Sequence, residues 1–189
     1  MKKAIFILIS SLSPAITILA QQGLSSLPPP PEVKGKISAV SIGLDVPVGE
    51  FAKTHFGGLG LSYAWSQHRF GKMTKPLKKR FGFTAKGGVD YYFGKQETVA
   101  DYDYQYGGYL YLHAFAGAIY NAGKKTNLML TTGPTLGIYK GGSDVGFGVS
   151  LAGSYYFGQR MGITSGIIYM KHAKANALWA PSIGVTRTF

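Results

Sequence analysis

The 189 residues contain no cysteine. This excludes a disulfide framework and any thiolate-held zinc or iron–sulfur site. Charge is also scarce: charged residues make up 15% of the chain, with 8 acids against 20 Lys and Arg, while aromatics reach 14%. A disordered chain needs the reverse balance. Long apolar runs are missing after residue 36, so no stretch of about 20 apolar residues is available for a membrane helix. Helical periodicity is weak. The 27 glycines follow no three-residue period, which excludes a collagen-like chain. The length suits a single domain.

The first residues read as an address. Lys2 and Lys3 precede the apolar run Ala4 to Leu12, and Ile18-Leu19-Ala20 precedes Gln21. A basic start, a short apolar segment and a small residue at the cut make a secretory signal over residues 1–20. Ser10, Ser11, Ser13 and Pro14 leave the run too short to stay in a bilayer as a helix. Residues 21–35, with Pro28 to Pro31, are expected to form an extended periplasmic tether. The folded domain is expected over 36–189.

From there the chain alternates with a period of two. In the last segment Trp179, Pro181, Ile183, Val185 and Phe189 share one parity, and Ala180, Ser182, Gly184, Thr186 and Thr188 the other. Successive strand side chains point to opposite faces, so one face is bulky and apolar and the other small and polar. The same holds for Ile42 and Leu44 against Ser41 and Gly43, and for Leu59 and Leu61 against Gly58 and Gly60. Phe83 and Val89 oppose Thr84 and Gly88, and Leu128 and Leu130 oppose Asn127 and Thr131. Val149 and Leu151 oppose Ser150 and Ala152, and Ile163 and Ile167 oppose Thr164 and Gly166. The segment Tyr104 to Tyr120 is apolar on both parities, so its faces stay unassigned. Turn signals such as Asn121-Ala122-Gly123 and Gly141-Gly142-Ser143 separate the segments.

Eight such strands, each about ten residues or longer, predict an all-β fold: a closed antiparallel transmembrane β-barrel of eight strands. Closure removes exposed strand edges. A soluble barrel would show water a face rich in Lys, Glu and Asp. Here the second face is Gly, Ser, Ala and Thr, which suits the cramped lumen of a small barrel. The bulky face then meets lipid, with Trp65, Tyr91, Phe93, Tyr156, Phe157, Tyr169 and Trp179 as aromatic girdles.

The ending Trp179 to Phe189 resembles the closing strand of outer-membrane barrels, in which a terminal aromatic follows alternating apolar positions. With Pro47-Val48-Gly49-Glu50-Phe51 and Gly133-Pro134, residues 36–189 resemble the small outer-membrane β-barrel domains of Bacteroidota, OmpA/OmpX-like in architecture. The resemblance implies a bacterial outer-membrane location, contact with membrane lipid and lipopolysaccharide, and reading of Ile183, Val185 and Phe189 by the barrel-assembly machinery. It implies both chain ends in the periplasm, with 47–57, 94–103, 140–144 and 171–176 outside.

Few constellations suggest chemistry. Asp45, Lys86 and Asp90 fall on the inner parity, with His113 as a fourth member. Charges in a barrel interior are costly unless paired, so these residues are expected to form a polar network. Lys86 and Asp90 stand about 13 Å apart along one strand, so each needs a cross-strand partner. Arg69, Lys72, Lys75, Lys78, Lys79 and Arg80 form a basic patch suited to phosphate groups or to a solvated turn. Glu97, Asp101 and Asp103 with Tyr102, Tyr104 and Tyr106 form an acidic, tyrosine-rich loop. His55, His68 and His172 lack metal-ligand spacing and read as polar loop residues. His172-Ala173-Lys174-Ala175-Asn176 faintly resembles the His-x-Ser-Asn motif of lipid A deacylase barrels, without its serine nucleophile. No catalytic residues, metal or cofactor are expected, nor a nucleic-acid partner. The expected function is a non-enzymatic outer-membrane protein presenting loops for binding, adhesion or envelope structure. The alternatives are a narrow channel or solute carrier and a lipid A-modifying hydrolase.

Overall fold

The computed structural model describes residues 36–67, 80–99, 102–123, 125–172 and 177–189. The signal segment, the tether and most of the basic patch therefore lie outside the described residues. Eight long strands run antiparallel to their neighbours: β1 (Lys36–Asp45), β2 (His55–Gln67), β3 (Phe81–Gly94), β6 (Tyr109–Asn121), β7 (Thr126–Tyr139), β8 (Gly142–Tyr156), β9 (Met161–His172) and β10 (Leu178–Thr188). They close in the order β1-β10-β9-β8-β7-β6-β3-β2. Two features were not anticipated. One is a short hairpin of β4 (Gln96–Val99) and β5 (Tyr102–Gln105); the other is a one-turn helix, α1 (Phe51–Thr54). The strand expected to begin near Tyr104 begins at Tyr109.

Closure is made by β1 on β10, from Ala39 opposite Thr188 to Asp45 opposite Ser182. Beyond it, Val46 N donates to Pro181 O (2.9 Å) and Val48 N to Trp179 O (2.8 Å). Both chain ends of the barrel share one rim, here called the terminal rim. The connections 46–54 and 140–141, the segment Tyr106–Gly108 and the strand ends His172 and Leu178 share the other, the distal rim.

The bulky parity points outward. Leu59, Leu130, Ile183 and Ile42 are 49, 56, 55 and 62% exposed, an apolar wall that water would not tolerate at this size. Trp179 stacks obliquely on Tyr169 (4.5 Å), and Phe56 on Phe93 (5.7 Å), near the distal rim. Pro134 also faces outward in β7. It has no N–H to give, and the β6–β7 register skips from His113–Thr135 to Ala116–Thr132 around it.

The lumen differs from the expectation of small residues throughout. Strand β6 is inverted: Tyr109, Tyr111, His113, Phe115 and Ile119 point in, while Ala114, Ala116 and Ala118 face out. Tyr92, Ile168, Met170 and Leu178 are buried with them. Tyr156, assigned above to a girdle, lies on the inner parity of β8 beside Asn127 (Nδ2–Oη 3.5 Å). Barrel volume is fixed by strand number, so the many inner glycines leave space that these large side chains fill.

Candidate functional site

The lumen is arranged in three layers. Nearest the terminal rim, hydroxyls form a cross-strand chain: Ser41 to Thr186 (2.7 Å), Thr186 to Thr164 (2.6 Å) and Thr164 to Ser154 (2.8 Å). Four strands are thereby linked through one inner surface. Ser66 donates to Thr84 (2.9 Å) on the opposite wall. Each hydroxyl is both donor and acceptor, so such a chain satisfies buried polar groups without charge.

The middle layer holds Asp45, Asp90 and His113, buried at 4, 4 and 5% exposure, with Lys86. All four point inward from β1, β3 and β6. His113 Nδ1 lies 3.0 Å from Asp90 Oδ2, a close polar contact without hydrogen-bond alignment. Lys86 is within electrostatic reach of both carboxylates, but no ion pair joins it to either among the described residues. Inner glycines make the room. Gly60 pairs with Asp90, and a Cβ there would fall 2.5 Å from Asp90 Oδ1 and 3.2 Å from Asp45 Oδ2. Gly88 pairs with His113 in the same way, with 2.7 Å to its ring. Asp45 Oδ2, Tyr92 Oη and His113 Nε2 are buried with no hydrogen-bond partner among the described residues.

The distal layer is aromatic. Phe51 of α1 enters the mouth, stacks on His55 (4.2 Å, 5°) and meets Tyr92 (5.4 Å) and Tyr109 (5.5 Å) edge-on. Tyr109 stacks on Tyr111 (4.6 Å), and Tyr111 on His172 (4.9 Å). His55 and His172 are thus not loop residues: they are 3 and 0% exposed. His172 continues the inner parity of Gly162, Thr164 and Gly166 past Met170, and that extrapolation would have placed it. His55 opens β2, and a register shift lies between it and Gly57, so parity counted back from Leu59 does not carry safely to it. Hydroxyl meets imidazole at Thr135–His172 Nε2 (3.0 Å) and at Thr54–His55 Nδ1 (2.8 Å). His55 Nε2 faces the Gly107 carbonyl, and His172 Nδ1 has no hydrogen-bond partner among the described residues. Asp144 lies within electrostatic reach of His172.

Outside the lumen, the tyrosine-rich segment forms the β4–β5 hairpin. Tyr106 donates to Glu97 (3.3 Å) and Thr98 to Asp103 (2.6 Å). Lys140, in the β7–β8 turn with φ 47°, donates to the Tyr104 hydroxyl (3.1 Å) and sits 5.2 Å from that ring's centre. This hydrogen bond holds the Lys140 ammonium above its ordinary range. Of the basic patch, Arg80 is described and donates to Tyr120 (3.3 Å). Arg69, Lys72, Lys75, Lys78 and Lys79, with His68, lie outside the described residues. In the closing strand Ile183, Val185 and Phe189 all face outward, and Phe189 N donates to Ser38 O (2.9 Å).

No family model matches the chain, and no curated protein matches it in sequence. Solved structures decide the fold. The chain has the fold of small eight-stranded outer-membrane β-barrels. Ail, the attachment invasion locus protein of Yersinia pestis, superposes with a TM-score of 0.56 at 13% identity, over 83% of this chain and 100% of Ail. Ail in complex with the heparin analogue sucrose octasulfate gives 0.55 at 11%, with the same coverage. Ail in a phospholipid bilayer nanodisc gives 0.53 at 15%, over 82% of this chain and all of Ail. At such identities the likeness is one of architecture.

Proposed function

We propose that this chain is a non-enzymatic outer-membrane barrel protein whose wall sits in lipid and whose distal loops face outside the cell. The observation that carries the reading is the division of side chains: Ile42, Leu59, Leu130, Leu151, Ile183 and Val185 face outward, while the inner face carries the hydroxyl chain, the buried carboxylates and the packed tyrosines. A soluble barrel would invert this. With its lumen filled by Tyr92, Tyr111, Phe115 and Met170, the barrel is built as a stable mount and not as a wide pore. The parts left free to meet a partner are the distal connections, chiefly the β4–β5 hairpin and the Lys140 turn.

Refolding the purified chain into lipid vesicles tests the reading. The expected result is flotation with the vesicles, faster gel migration before boiling than after, and protease cleavage confined to the connections. A chain that stays soluble and monomeric without detergent sinks it. On intact cells, an epitope inserted after Lys140 should be accessible and one inserted after Ala122 should not.

A further inference from the structure

The segment that closes the distal mouth is weak as local structure. One turn of helix is far below the length at which a helix holds itself, and the ends of α1 are tied by Lys53 N to Glu50 O (3.1 Å) and by His55 N to Phe51 O. Gly49, at φ +76°, lets the chain turn into it. Its position comes from three attachments. Phe51 is inserted among His55, Tyr92 and Tyr109. Lys95 N donates to Thr54 O (2.8 Å), and Lys95 Nζ donates to Ala52 O. His55 then ties the segment across the mouth, with Nδ1 on Thr54 and Nε2 on Gly107 O (3.1 Å).

The Gly107 carbonyl can only accept, so Nε2 carries a proton, and in the neutral ring Nδ1 accepts from the Thr54 hydroxyl. A second proton would reverse the Thr54 bond, freeing that hydroxyl for Phe51 O (3.2 Å). Hydrogen bonds alone therefore tolerate either state, and charge decides. Facing His55 are the Lys95 ammonium from the β3–β4 junction, the phenols of Tyr109 and Tyr139 from β6 and β7, the Phe51 ring and Thr54 from α1, and the Gly107 carbonyl. The carboxylate of Glu50, which precedes α1, is exposed and paired with Lys53 (2.7 Å). No carboxylate forms an ion pair with His55 among the described residues. An imidazolium there would be buried beside a like charge. The face of one phenyl ring returns only a fraction of the hydration it would lose.

We propose that α1 is a stopper for the distal mouth and that protonation of His55 releases it, uncovering the aromatic socket of Tyr92, Tyr109 and Tyr111. The test is amide hydrogen exchange of the folded barrel in detergent micelles at pH 7.5 and 5.0, corrected for intrinsic exchange rates. The Lys95 amide reports docking, and the Thr131 amide reports barrel integrity. Protection at Lys95 should fall about tenfold or more at pH 5.0, with Thr131 unchanged, and His55→Gln should abolish the fall. The His55 ring, followed by NMR, should titrate at lower pH in the unaltered protein than in Phe51→Ala, which lacks the ring that seats α1. Constant protection at Lys95, an equal fall in His55→Gln, or the same His55 titration in Phe51→Ala overturns the proposal. The titration comparison stands even where His55→Gln leaves α1 undocked at both pH values.

Discussion

Gly60 stands directly opposite Asp90 in the β2–β3 register, and the carboxylate occupies the space that a side chain on Gly60 would take. The same relation joins Gly58 to Tyr92, Gly88 to His113 and Gly146 to His172. Each of these four inner side chains has a glycine socket on the neighbouring strand. A barrel of eight strands can fill its lumen in this way without widening.

Substitution at the socket should therefore be felt where the same substitution on the outer wall is not. Gly60→Ala should destabilise the folded barrel by about 1–3 kcal/mol through overpacking against Asp90 and Asp45. Gly87→Ala adds a methyl whose nearest neighbour is a backbone oxygen at 3.7 Å, and should stay within about 0.5 kcal/mol. Reversible urea unfolding in lipid vesicles measures both. Equal effects would remove the socket interpretation.

Leu130 and Thr131 are neighbours that face opposite media. Leu130→Arg should cost about 2–4 kcal/mol in vesicles if it lies near the bilayer midplane. In a water-soluble barrel, the same exposed position would accept Arg within about 0.5 kcal/mol. The vesicle unfolding midpoint separates the two.

The Asp90–His113 contact predicts coupling. In a double-mutant cycle, Asp90→Asn and His113→Gln should each destabilise, and the pair should fall short of their sum by about 0.5–3 kcal/mol. Leaving either partner alone among the buried charges carries a larger penalty than removing both. Additive losses would show that the 3.0 Å approach has no energetic weight.

The hydroxyl chain predicts a further loss. Thr186, 2% exposed, bridges Ser41 and Thr164, so Thr186→Val keeps the shape, strands the Ser41 hydroxyl and leaves Thr164 with Ser154 alone. The expected cost is about 1–3 kcal/mol. Thr132→Val, on the outer face, removes one hydrogen bond to Gly148 O (2.8 Å) and should cost less.

Strand number, closure and the direction of Leu59, Phe83, Leu130 and Ile183 were legible in the residue order, because a two-residue period with one bulky parity has few other stable outcomes. The inward placement of Asp45, Lys86 and Asp90 follows from the same parity. The period is silent where both parities are apolar, as in β6, and there Tyr109, Tyr111 and Phe115 turned inward against the trend. Their direction depends on which neighbouring strand offers glycine at the matching height, and that is a matter of register. His55 and His172 were misread because both stand where a strand meets a connection, and strand ends are set by pairing. The sequence by itself thus determined a barrel with a greasy wall, since side-chain alternation is a local property of the extended chain. Only the tertiary structure decided what fills the lumen and what stops its mouth, since both rest on contacts between strands far apart in sequence.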